Sequence, residues 1–215
     1  MVPRPRGGRH RYDGQRWSTF LRNHAPHVLA ADFFTVVTAK FDLLRVLVVM
    51  EIGSRRILHF NVTEHPTAQW TLQQFREALP WEHDYRYLVH DRDSIFSASL
   101  DESLDAFGLK ILKTPPRSPQ INAFCERLIG TIRRECLDHV IPFGELHTRR
   151  ILNEWIEHYN CGRPHSSLGP GVPVSLDPKV SQPSHRHQLP ENPKIVVKPV
   201  LGGLHHEYRL RPAPT

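Results

Sequence analysis

Three acidic residues, Asp32, Asp91 and Glu126, sit where burial disfavours them, and Asp93 is an alternative to the second. Asp32 lies inside the apolar run AADFFTVV, Asp91 and Asp93 follow YRYLVH in HDRDS, and Glu126 sits beside the apolar stripe of FCERLIGTIRREC. Each has an ordinary reading by itself: a strand-edge turn, an Asx-type turn, a solvated helix face. Gathered together, carboxylates repel by about 1 kcal/mol per pair at 4 Å in water, and by more near protein. Divalent cations reverse that sign. Mg²⁺ takes oxygen ligands, and a pair of ions about 3.5–4 Å apart can stabilise both attacking and leaving oxygens of an in-line phosphoryl displacement.

The elements that must position these acids are legible as patterns. AADFFTVV, LLRVLVVME and RRILHFNV are β-branched and aromatic runs with short connections, and predict a three-strand antiparallel meander. HPTAQWTLQQFREALP predicts a helix capped by Thr67, with Trp70, Phe75, Ala78 and Leu79 at helical intervals. DYRYLVH predicts a fourth strand and GLKILKT a fifth. Between them a helix over SASLDESLDAFG presents Leu100, Leu104 and Phe107 and stops at Gly108. Ser118-Pro119 predicts the start of a long helix with the stripe Ile121, Phe124, Cys125, Leu128, Ile129, Ile132 and Cys136. A further helix carries Leu146, Ile151, Leu152, Trp155, Ile156 and Tyr159. Three antiparallel strands followed by β-α-β-α-α make an α/β layout with a mixed sheet.

The chain has 215 residues, 28 Lys+Arg against 22 Asp+Glu, and a formal net charge of +6. The charge is uneven: residues 1–30 carry six Arg and one Asp, residues 31–160 carry 15 basic and 18 acidic residues, and residues 161–215 carry seven and three. Basic flanks around a slightly acidic centre point to a polyanionic partner. Ten of the 19 prolines fall from Pro164 onward, so the end of the chain reads as an extended tail, with one hairpin turning at Gly202-Gly203. Three cysteines without CxxC spacing predict reduced thiols in a cytoplasmic protein and no zinc framework. The longest large-apolar run, Val46–Met50, is far too short for a membrane span, and no apolar segment follows the basic start as in an export signal.

ADFF, HDRDSIF, TPPRSPQINAFCERLIGTIRRECLD and HYNCGRPHSSLG, in that order, resemble the catalytic core of the DDE transposases and retroviral-type integrases, in the branch carried by bacterial insertion sequences. The resemblance covers residues 17–170, and 34 residues separate Asp91 from Glu126, close to the family's interval. It implies a ribonuclease H-like fold, with a mixed five-stranded sheet and helices on both faces. It also implies that Asp32, Asp91 and Glu126 converge as catalytic ligands of two Mg²⁺ or Mn²⁺ ions. Asp91 is preferred to Asp93, where relatives commonly have glycine, because it directly follows the strand and has the better spacing to Glu126. The implied activity is cleavage at a transposon end by water, then attack of the freed 3′-hydroxyl on target DNA by an oligomer, at least a dimer. A non-catalytic DNA-binding remnant and a ribonuclease H-like nuclease are the alternatives.

Lys113, Arg117, Asn122, Arg127, Arg133 and Arg134 are candidate DNA contacts around the long helix, and Arg163 and His165 are candidates in the RPHSSLG string. Gly130 shares the Glu126 face and suits either close approach of DNA or packing against a neighbouring helix. The expected division is a basic arm over 1–27, the core over 28–168 and a Pro-rich tail over 169–215, with its hairpin near 195–209. Only about 30 residues precede Asp32, too few for a helix-turn-helix, so the chain reads as beginning inside a longer frame and sequence-specific end recognition is not expected from this arm.

Overall fold

The computed structural model describes residues 17–91, 93–113, 123–174 and 194–211. Helix α1 (Trp17–His24) leads into β1 (Val28–Val37), β2 (Leu43–Glu51) and β3 (Ile57–Thr63), the expected meander. Helix α2 (Ala68–Ala78), β4 (Tyr87–His90), α3 (Ala98–Ala106), β5 (Lys110–Lys113), α4 (Ala123–Glu135) and α5 (Glu145–Cys161) follow. The five strands form one sheet in the order β3-β2-β1-β4-β5. β1 pairs antiparallel with β2, β2 antiparallel with β3, and β4 runs parallel to both β1 and β5. This is the predicted mixed sheet, with β1 at its centre.

Strand alternation sorts the core into two layers. Val28, Ala30, Phe34 and Val36 of β1 pack with Val89 of β4 against Cys125, Leu128 and Ile132 of α4 and Trp155 of α5. Leu29, Ala31 and Phe33 pack with Leu88 against Phe75 of α2 and Leu100 and Leu104 of α3. Each fully buried side chain of this size contributes roughly 1.5–3 kcal/mol relative to exposure, so the two layers hold the helices to the sheet. The caps match the pattern: Thr67 accepts from the Trp70 amide, and Gly108 follows α3 at φ +94°, a conformation that favours glycine.

The structure differs from expectation at particular places. Leu146, assigned to the apolar stripe of α5, is 83% exposed. It stands about 120° around the helix from Leu152, off the buried side. Ser118, Pro119 and Ile121 lie outside the described residues, and the described part of α4 begins at Ala123. A short strand, β6 (Ser167–Pro170), was not read from the sequence.

The predicted hairpin is present as β7 (Lys194–Val200) and β8 (His205–Arg211), joined through Gly202 and Gly203 at positive φ. It packs on the core. Glu207 meets His158 of α5 at 3.0 Å in a buried pair, His205 Nε2 lies 2.6 Å from the Glu135 carbonyl oxygen, and the Leu201 amide donates to Glu154.

Candidate active site

Register and alternation bring the first two acids together. Ala31 of β1 is paired with His90 of β4, so the next positions on these parallel strands are Asp32 and Asp91. Asp32 falls between Ala30 and Phe34, which face α4 and α5. His90 belongs to the other face: its Nε2 lies 3.0 Å from Asp101 Oδ1 on α3, and its ring stacks on Phe96 at 4.2 Å. Its Nδ1 sits 2.7 Å from the Asp91 carbonyl oxygen, which ties down the backbone where the strand ends. Asp91 therefore follows the strand on the α4 side, as Asp32 does.

Helix α4 brings the third. Glu126 is exposed in its first turn, where the helix dipole favours negative charge. Asp32 and Glu126 both lie near Cys125. Burial pushes the Cys125 thiol well above its usual range, and the nearby charges of Asp32 and Glu126 raise it further. Cys125 is fully buried, so its place is packing under the site rather than nucleophilic attack.

Three carboxylates would offer the all-oxygen donor set that Mg²⁺ and Mn²⁺ take. They share a face without closing into a cage: among the described residues no group of three His, Cys, Asp or Glu side chains is drawn together tightly enough to hold an ion. Residues 92 and 114–122, which adjoin Asp91 and lead into α4, lie outside the described residues.

Asp93 has another occupation. Its Oδ2 accepts from Arg45 at 2.7 Å, and its Oδ1 accepts from the Ile95 amide at 3.2 Å and the Ser94 hydroxyl at 3.3 Å. Arg45 also donates to Thr35 Oγ1 at 3.2 Å and lies 5.9 Å from the centre of the Phe33 ring, on the side of the sheet facing α2 and α3. The sequence signal for this clamp was an arginine in the middle of LLRVLVVME.

The candidate DNA contacts divide. Arg127, Arg133 and Arg134 are exposed on α4. Arg133 donates to the Thr35 carbonyl at 3.1 Å and lies over the Phe34 ring, beside the carboxylates. A Cβ on Gly130 would meet Arg134 Nη1 of its own helix at 3.1 Å, the mobile end of a long side chain, rather than a neighbouring helix. Arg163 forms a two-point pair with Glu135 at 2.6 and 2.8 Å, and buried His165 lies 3.2 Å from the Tyr159 carbonyl oxygen and packs edge-on to its ring. Both brace the end of α5. Burial and the neighbouring Arg163 charge lower the His165 pKa against the pull of that carbonyl. Lys113 ends β5, while Arg117 and Asn122 lie outside the described residues.

Residues 107–173 match the family profile described as an integrase core domain. Over 88 residues the chain is 30% identical to a protein of insertion element IS476 from Xanthomonas euvesicatoria, covering 41% of this chain and 25% of that protein. Over 148 residues it is 26% identical to the transposase InsD of insertion element IS2 from Escherichia coli, covering 65% of this chain and 49% of that protein. The chain thus spans half or less of the length of these two relatives. Its fold matches the HTLV-2 integrase catalytic core domain, solved in complex with magnesium in a trimeric form, with a TM-score of 0.54 at 14% identity over 69% of this chain and 93% of that one. Residues 107–173 thus resemble an integrase core domain, and the fold is that of a solved integrase catalytic core.

Proposed function

We propose that this chain is the catalytic core of a transposase that cuts DNA at the ends of a mobile element and joins them to target DNA. The observation that supports this reading is that Asp32 and Asp91 each directly follow the paired residues Ala31 and His90, on the side of the sheet covered by the helix whose first turn holds Glu126. Asp32, Asp91 and Glu126 would hold divalent cations, two Mg²⁺ or Mn²⁺ by the number of phosphate oxygens to be managed. When bound, such ions supply Lewis-acid stabilisation of the attacking and leaving oxygens.

The chain's own part is positional. The central strand fixes Asp32, His90 anchors the backbone of Asp91 from the opposite face, and the α4 dipole favours Glu126 as a carboxylate. Arg133 and Arg134, on the same side of α4, would take the phosphates flanking the cut. In the first step water attacks a phosphodiester at the element end and a 3′-hydroxyl leaves. In the second that hydroxyl attacks a target phosphodiester, displacing another 3′-hydroxyl, so the number of phosphodiester bonds is conserved. Two ends joined together call for at least two copies of the chain, acting on nucleoid DNA in the cytoplasm.

The test is strand nicking and joining on DNA that carries the element's ends, with Mg²⁺ or Mn²⁺. Asp32→Asn and Glu126→Gln are each expected to lower both steps by at least 100-fold, about 2.7 kcal/mol of barrier, while the thermal midpoint stays near that of the parent. Full activity in either variant would remove that residue from the site.

A further inference from the structure

Helix α4 turns a second face, about 100° and more around from Glu126, toward a pocket of about 190 Å³. Arg55 from the β2–β3 turn, Phe124 and Arg127 from α4, and Tyr159 and Arg163 from the end of α5 form its walls. The Arg55 guanidinium lies 4.1 Å from the centre of the Phe124 ring, a stacked cation–π contact. Arg55 itself holds φ +66°, which an L side chain rarely adopts, and strain of this kind is often found at ligand clamps.

The charges in this pocket do not balance. Arg163 is matched by Glu135. Among the described residues neither Arg55 nor Arg127 has a carboxylate partner, yet Arg127 stands close enough to lower the Arg55 pKa, after the larger effect of burial. The connector over 114–122 contains Arg117 and no acid, so it brings no compensating charge. The Arg55 guanidinium, set on the Phe124 ring, loses hydration and is repelled by the nearby Arg127 charge, and an anion between them relieves both penalties. The volume is below the roughly 300–1,000 Å³ of small-molecule sites and suits a single phosphoryl group. Ser166 and Ser167 line the same pocket with hydroxyl donors. Burial pushes Tyr159 up to about 12, so it remains a neutral phenol and adds no opposing charge.

We propose that Arg55 and Arg127, on the floor made by Phe124 and Tyr159, form a site for one phosphate of a DNA backbone, distinct from the carboxylate face. The guanidinium forks take the non-bridging oxygens, and the duplex then runs past α4 on a side that Glu126 does not face. The assignment rests on DNA being the substrate, but not on the chemistry at the carboxylates.

The test is metal-free binding of the full chain to a labelled duplex across a salt series. Arg55→Gln and Arg127→Gln are each expected to weaken binding several-fold at low salt, and the double variant to reduce the slope of log affinity against log salt by about one. Arg76→Gln, at an exposed position of α2, serves as control and should leave the slope unchanged. In parallel, inorganic phosphate should raise the melting temperature of the parent and not that of the double variant. Arg127 is exposed on a helix, so Arg127→Gln keeps the fold and decides the matter if Arg55→Gln does not. An unchanged DNA slope overturns the proposal, and stabilisation by phosphate with an unchanged slope reassigns the pocket to a free anion. Loss of the slope in a protein with no strand chemistry leaves this site standing and removes the catalytic reading instead.

Discussion

The two aspartates of HDRDS lie just past the end of β4 and have different surroundings. Asp91 continues from β4 toward the α4 side, in step with Asp32, whereas Asp93 is taken up by Arg45 on the α2 and α3 side. An aspartate at 93 thus answers the arginine at 45. The pair is about one-third exposed on both sides, so its worth is modest, but its loss leaves Arg45 partly buried without a carboxylate. Asp93→Ala is expected to cost about 1–2 kcal/mol of stability and to keep divalent-ion binding. Asp91→Asn is expected to abolish ion binding while stability holds. Calorimetric Mn²⁺ titration beside thermal melting of both variants checks this, and the reverse pattern would exchange the two assignments. The sequence left this choice to the strand's end, to spacing and to the resemblance, because the partner that occupies Asp93 lies 48 residues away.

At the level of elements, the hairpin β7–β8 is attached to α5 through one crowded point. Gly162 ends α5 where a Cβ would come within 2.2 Å of Glu207 Oε1 and 2.5 Å of its Cδ. Glu207 is buried and engaged with His158, so it cannot give way cheaply. Gly162→Ala is expected to displace Glu207 and destabilise the chain by about 1–3 kcal/mol, with faster hydrogen exchange in the hairpin before the core opens. Uniform protection in parent and variant would show that the hairpin does not depend on this contact. The elements themselves were legible because each carries a local signal: period-two runs for the strands, period-three-to-four stripes for the helices, Thr67 and Gly108 at ends. The docking was not legible, since HHEYRL states nothing about which helix will receive Glu207. Leu146 was misplaced for a related reason. Its hydrophobicity continues the stripe in composition, while its angular position lies off the buried side.

On the scale of the whole molecule, the net charge of +6 is divided between a slightly acidic centre and basic flanks. In the proposed site Asp32, Asp91 and Glu126 would concentrate negative charge, while Arg133 and Arg134 are exposed on α4 and Arg55 and Arg127 line a pocket on another of its faces. Residues 1–16 of the N-terminal arm add Arg4, Arg6, Arg9, Arg11 and Arg16 against Asp13 alone. Arginine contacts to phosphate strengthen binding without reading bases, so under the proposed function this arm would act on affinity and not on choice of sequence. Changing its five arginines to glutamine in the full chain is therefore expected to lower the salt slope of duplex binding by up to about 0.9 for each phosphate contact removed. The ratio of affinities for element-end and unrelated duplexes should stay constant. Equilibrium binding to both duplexes over a salt series measures the two quantities together. A fall in that ratio would make the arm a sequence reader and would assign it a role that its charge alone does not require.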